Sequence, residues 1–210
     1  MDNDNESIYE VETRVFFESK EEAYSVVPFL KKCLTTEIKW ETTMYGLDIF
    51  YLGSLLRVSD SIIGKIKRIY LGYKEVDIGK IYNVRKEIDE EITEGIANSR
   101  ILEILCGKKE GINPALIKAA LEEFGHKKFM SFSGTNLVGN NSELDIALKL
   151  MSCPTLRYPL ILEIEKTASC IEEAIQKEVE LSKLITSLSL ETRVLIKEPP
   201  TLLFDTLYED

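Results

Sequence analysis

The sequence predicts an α+β protein built on an antiparallel eight-stranded β-barrel, or tunnel, with flanking helices. Three observations carry this. Roughly eight stretches read as strands, set apart by turn residues and interrupted by only a few helices. Within several of them charged residues hold every second position, with apolar residues between. Both the first and the last of these strands carry charges, which suits one sheet curling toward closure.

The elements follow in order. "YEVETRVFF" lies in a first strand over 8–17. Ser19 with Glu22 forms a capping box for a helix carrying "EEAYSVVPFLKKCL", in which Pro28 imposes a kink or a late start. From about 38 to 93 the signal is β: "IKWETTMYG", "IFYLGSLLRVSD", "GKIKRIYLGYKE" and "KIYNVRKEIDEEI". Turns at Gly46-Leu47-Asp48, Ile63-Gly64 and Asp77-Ile78-Gly79 separate them. Helices follow over about 94–106, and from Asn113-Pro114 to a stop at Gly125. Strands resume with "KKFMSFSGTNLV", then, after a "GNN" turn, "SELDIALKLM" and "YPLILEIEKT". Thr167 or Ser169 opens a helix with apolar period 3.6, "CIEEAIQKEVELSKLITSL". The tail, "RVLIKEPPTLLFDTL", either closes the sheet or lies across it.

Composition narrows the function. At 210 residues, 44% hydrophobic and 30% charged, the chain suits a soluble globular protein, read as a single domain over 1–210. No run reaches the roughly 18 apolar residues of a membrane span. The opening "MDNDNESIYE" is acidic where a signal peptide is basic and then apolar, which implies a cytoplasmic protein. Four cysteines without a CxxC pair imply reduced thiols and neither zinc site nor disulfide framework. With His126 alone, a histidine-based triad is hard to build, so any catalysis rests on carboxylates, lysines and arginines. A net charge of -10 argues against DNA and anionic membrane as partners. It leaves room for an internal basic site.

The alternating charges define such a site. Glu10, Glu12 and Arg14 share one face of their strand, as do Glu163 and Glu165 of theirs. Arg85, Glu87 and Asp89 share another; Arg57 alternates with Ser59, Lys65 with Lys67, Glu143 with Asp145, and Arg68 lines up with Tyr70, Gly72 and Lys74. One such strand alone reads as a solvated face. Here carboxylates come from the ends of the chain, and Lys and Arg mostly from its middle. Paired carboxylates suit a hard divalent cation, Mg²⁺ or Mn²⁺. Lysine and arginine suit phosphate oxygens. Together they suit a metal-bound polyphosphate.

These segments resemble the CYTH superfamily, the triphosphate tunnel enzymes. "EVETR" resembles its opening ExExK signature, and "WETTMYG" the strand before its first basic motif. "SLLRVSDSIIGKIKRIYLGYKE" resembles its LRxR and LTyKGp strands, and "YNVRKEIDEEI" its R-x-E-x-E strand. "ELDIALKLMSCPTLRYPLILEIEKTASCIEEA" resembles its closing stretch, so that the likeness spans about 8–190. It implies Mg²⁺ or Mn²⁺ held by Glu10, Glu12, Asp145, Glu163 and Glu165. It also implies a triphosphate-containing small molecule gripped by Arg14, Arg57, Lys67, Lys74, Arg85 and Lys128, with Glu87 and Lys74 as catalytic residues. The activity implied is metal-dependent triphosphate hydrolysis; alternatives are a class IV adenylyl cyclase and a binding-only member, and a homodimer is compatible with any of them. The departures are Arg14 for the signature lysine, Ser59 for the second LRxR arginine, and Met130 for the arginine two residues beyond Lys128.

Overall fold

The computed structural model describes residues 8–93, 95, 98–107 and 113–208. The expected acidic leader 1–7 and positions 94, 96 and 97 of the helix expected over 94–106 lie outside them. In chain order the elements are β1 (Ile8–Phe17), α1 (Lys20–Val26), α2 (Leu30–Cys33), β2 (Leu34–Tyr45), α3 (Leu47–Tyr51), β3 (Leu55–Ile63), β4 (Ile66–Lys74) and β5 (Asn83–Glu91). Then come α4 (Arg100–Cys106), α5 (Ile117–Glu123), β6 (Lys128–Asn141), β7 (Ile146–Ser152), β8 (Leu160–Ala168), α6 (Ile171–Ser187), β9 (Val194–Leu195) and α7 (Pro199–Tyr208).

The hydrogen-bonded order is β5-β4-β3-β2-β6-β7-β8-β1, and β5 pairs again with β1. That last pairing closes the eight strands into the expected antiparallel barrel. Two-residue β9 adds at Arg14 and Val15 of β1. Among the described residues no helix is long and apolar enough to cross a membrane.

Contacts gather the chain into two compact units. The first comprises Met1–Ile38, Ile78–Lys86 and Gly134–Asp210. Its apolar core joins Val11 and Val15 of β1, Leu148 and Leu150 of β7, and Leu162 and Ile164 of β8 to Ala174, Leu181 and Ile185 of α6. The charged alternates of β1, β7 and β8 therefore lie on the face turned away from that helix. The second unit comprises Lys39–Asp77 and Glu87–Ser133. There Leu56 and Val58 of β3 and Leu71 of β4 pack with Ile101 and Leu102 of α4 and with Ile117 and Leu121 of α5. Arg57, Lys74, Glu87 and Asp89 occupy the opposite face.

Local chemistry explains several boundaries. Ser19 Oγ accepts the Glu22 amide at 3.1 Å, while the Glu22 carboxylate accepts the amide of Glu18 at 2.8 Å, one residue before the partner a capping box prescribes. Helical structure breaks around Pro28 into α1 and α2. "IFY", expected in a strand, is helical as part of α3, because Gly46 at φ 69° turns the chain into a helical start. The tail adds two-residue β9 beside β1 and then forms α7, while closure of the sheet belongs to β5 and β1.

One correction bears on the site. β6 continues through Gly139-Asn140-Asn141, so the reversal falls on 142–145, not on "GNN". Asn141 Oδ1 accepts the amides of Glu143 and Leu144 at 3.1 and 3.2 Å, which fixes that turn. Asp145 thus leaves the strand at φ 51°, with its side chain 78% exposed.

Candidate functional site

In the first unit, strand register sets the charges in two rows. Glu165 of β8 lies opposite Glu12 of β1 and Ala147 of β7. Glu163 lies between Arg14 of β1 and Lys149 of β7. Arg14 is 1% exposed and Glu12 is fully buried, so this face does not look out at water. The Arg14 guanidinium meets Glu12, donates to Glu163 at 2.9 Å and to Asn83 at 2.7 Å, and lies 3.3 Å from Glu198. Burial alone would lower the pKa of Arg14; Glu12, Glu198 and Glu163 outweigh it and hold the guanidinium charged. Arg85 lies 3.4 Å from the same Glu198 oxygen, and Lys149 pairs with Glu163.

The loop before Arg85 is held by a buried carboxylate. Glu178 of α6 accepts the amides of Lys80, Ile81 and Tyr82 at 2.9, 2.6 and 2.8 Å. Three converging N–H groups satisfy a buried charge and place Asn83 and Arg85 beside Arg14. A cavity of about 660 Å³ opens on this unit, with Lys32, Thr36, Asn140, Lys149, Glu163 and Glu165 in its wall. That is within the range of small-molecule sites.

In the second unit, Arg57 of β3 meets Glu87 of β5 and lies 3.0 Å from Asp89 Oδ2, while Lys74 of β4 pairs with Glu87 at 2.5 Å. Arg57, Gly72 and Asp89 are register partners across three strands. A Cβ on Gly72 would lie 2.3 Å from Asp89 Oδ1 and 2.7 Å from Arg57 Nε, so glycine is what lets Arg57 cross β4. Asp89 is 44% exposed, yet its carboxyl is held above the ordinary range. The protein around it is the main cause; Glu87 adds to it, and Arg57 and Lys74 only partly offset it.

Other expected ligands stand elsewhere. Asp145 pairs with Lys177 of α6 at 2.9 Å, which holds its carboxyl below the usual range, and it is not among the carboxylates around Arg14. Lys67 is 62% exposed and pairs with Asp60, which Lys118 also meets. Lys128 is exposed at the start of β6. Ser59 shares a hydrogen bond with Thr42 at 2.9 Å. Met130 is 4% exposed and alternates with Phe132, whose ring meets Trp40 edge-on at 5.3 Å. Met130 therefore shares a strand face with Phe132, while Thr42, two residues beyond Trp40, bonds Ser59 on the Arg57 face, so a buried methionine stands where the resemblance has an arginine.

Among the described residues no three His, Cys, Asp or Glu side chains converge into a ready cage for an ion. The Glu12–Glu165 pair nevertheless suits a divalent ion. Like charges directly opposed across strands repel, and Mg²⁺ is commonly held by one or two carboxylates together with phosphate oxygens and water. Glu10, half-buried and opposite Thr167, lies two residues further along the same face. Glu163, spanned by Arg14 and Lys149, suits the ion less.

No protein-family model and no curated protein matches the chain by sequence. Solved structures match it by fold. The PH1819 protein of Pyrococcus horikoshii superposes with a TM-score of 0.70 at 16% identity, over 94% of this chain and 99% of that one. HpAC1 of Hippeastrum, a candidate adenylyl cyclase with a dominant triphosphatase activity, gives 0.61 at 15%, over 95% and 96%. A chain of the Schizosaccharomyces pombe Mediator head module gives 0.56 at 14%, over 86% and 94%. The fold is of the CYTH type. At these identities the likeness is one of fold.

Within this CYTH-type fold, sequence reasoning passed over Lys149, Asn83, Glu178 and Glu198. Lys149 was discoverable, since it continues the alternation of Asp145 and Ala147; the other three have no motif around them. Two expectations follow for the second unit. Gly72→Ala should fold, because the atoms nearest its Cβ are side-chain atoms of Asp89 and Arg57, not backbone, yet it should displace Arg57. Calorimetry should show roughly tenfold weaker tripolyphosphate binding, with a thermal midpoint within about 4 °C of wild type. Asp89→Asn should raise stability at neutral pH. Because folding raises the Asp89 pKa, its favourable contribution is complete below the unfolded carboxylate pKa and is lost as pH rises through the folded value. Melting curves should therefore separate at neutral pH and converge near about pH 3.

Proposed function

We propose that this chain is a metal-dependent phosphohydrolase acting on the terminal phosphate of a triphosphate-containing small molecule. The observation that carries this is the buried charged face of β1, β7 and β8, with Glu12 opposed to Glu165 and with Arg14 and Lys149 flanking Glu163. Burying so many charges is costly in a protein that does not use them. The triphosphatase activity of HpAC1, which shares the fold, supports the reading.

In this proposal Glu12 and Glu165, with Glu10 beside them, hold Mg²⁺ or Mn²⁺. When bound, the ion neutralises phosphate oxygens and polarises the phosphorus. Lys149, Arg14 and Arg85 of the same unit are the cations offered to phosphate. Glu87 and Lys74, the residues that the resemblance names as catalytic, pair with one another in the second unit.

A second reading is a binding-only member. Arg14, Arg57, Lys74, Arg85 and Lys149 each already meet a carboxylate of the chain. The Mediator head module supports it, as a large assembly containing the same fold. Incubation with tripolyphosphate, ATP or thiamine triphosphate, each with Mg²⁺ or Mn²⁺, separates the readings. Phosphate release is expected. Pyrophosphate with cyclic AMP would instead mark a cyclase, and affinity without product a binding module.

A further inference from the structure

We propose that Glu198 is a built-in competing anion, a carboxylate of the chain's own tail that stands where phosphate must bind and has to be displaced by it. The proposal rests on the triphosphate reading above and adds to it a control on occupancy of the Arg14–Arg85 site. Glu198 is the residue before α7, and its carbonyl accepts the Leu202 amide at 2.9 Å, so its backbone begins the helix. Its side chain reaches a single oxygen to both guanidinium groups, 3.3 Å from Arg14 and 3.4 Å from Arg85. One oxygen bridging two arginines is the arrangement a phosphate oxygen would take.

Charge and attachment both fit a displaceable group. Among the ion pairs around Arg14, the cations Arg14, Arg85 and Lys149 meet the carboxylates Glu12, Glu163 and Glu198. Glu12 and Glu163 belong to strands paired along nine positions and cannot leave without opening the sheet. Glu198 belongs to the tail, beyond two-residue β9, and the helix after it is seated by Pro199, Pro200, Leu203 and Phe204. Release of that short helix uncovers two arginines without breaking a pair of long strands. With Glu198 withdrawn, Arg14 and Arg85 lose the carboxylate oxygen they share, and an oxygen of a polyanion can take its place.

The test compares wild type with Glu198→Gln, which keeps the volume and removes the charge. Tripolyphosphate with Mg²⁺ is titrated by calorimetry at one salt concentration. Roughly tenfold or greater tightening in the variant is expected, since an anion no longer competes for two charge-assisted contacts. Binding by the variant alone would support the proposal still more strongly. Equal or weaker binding by the folded variant would overturn it while leaving the triphosphate reading intact. Failure of both proteins to bind would sink the triphosphate reading, and this proposal with it. Should the variant not fold, amide exchange on the wild type decides: bound tripolyphosphate should speed exchange over Leu202–Tyr208, and unchanged or slower exchange there would refute displacement.

Discussion

Glu165→Gln should lower Mg²⁺- or Mn²⁺-dependent phosphate release from tripolyphosphate by on the order of a hundredfold or more, with the fold intact. The register places Glu165 directly opposite Glu12 in the neighbouring strand, where two like charges repel unless a cation lies between them. The amide keeps the volume and removes one charge. The thermal midpoint should stay within about 4 °C of wild type. Loss of activity with retained stability is what a metal ligand produces; a residue needed only for folding would lose both together. Phosphate release and a melting curve on the same preparation decide it. Undiminished turnover in Glu165→Gln would exclude this carboxylate from the metal site.

Arg14→Met has the largest expected effect on stability. Arg14 is 1% exposed and is held by Glu12, Glu163, Asn83 and Glu198. Methionine fills much of the space but strands carboxylates in a buried setting. Glu163 keeps Lys149 and Glu198 keeps Arg85, while Glu12 loses its pair with this guanidinium. Breaking a buried ion pair costs about 3–5 kcal/mol, which in a chain of this size lowers the melting midpoint by roughly 10 °C or more. Because Arg14 and Glu198 face one another, Glu198→Gln combined with Arg14→Met should cost less than the sum of the two single changes. A double-mutant cycle measures that coupling. Additive effects would show that Arg14 and Glu198 do not act on one another.

Strand alternation alone was enough to assign the charged faces. Glu10, Glu12 and Arg14, then Glu163 and Glu165, then Arg57 and Lys74 with Glu87, each lie on one side of a strand whose other side is apolar, and in both units helices cover the apolar side. Side chains alternate with a period of two whatever the strand pairs with, so this much is local. The antiparallel eight-stranded barrel was likewise legible, since few folds bury so many alternating strands; the order of its strands was not.

Which charges meet was a different matter. Asp145 reads as a strand residue until Asn141 caps a turn that places it outside, beside Lys177. Gly72 reads as one more small residue until Arg57 is seen to cross it. Glu178, Glu198 and Asn83 act over separations of 69 to 184 residues along the chain, from Asn83 and Glu198 to Arg14 and, at 96 to 98, from Glu178 to the loop amides. Sequence determined which face of each strand is charged, because backbone geometry dictates it locally. Only the tertiary structure decided which of those charges are partners, because register, loop length and tail docking set distances that no local pattern encodes.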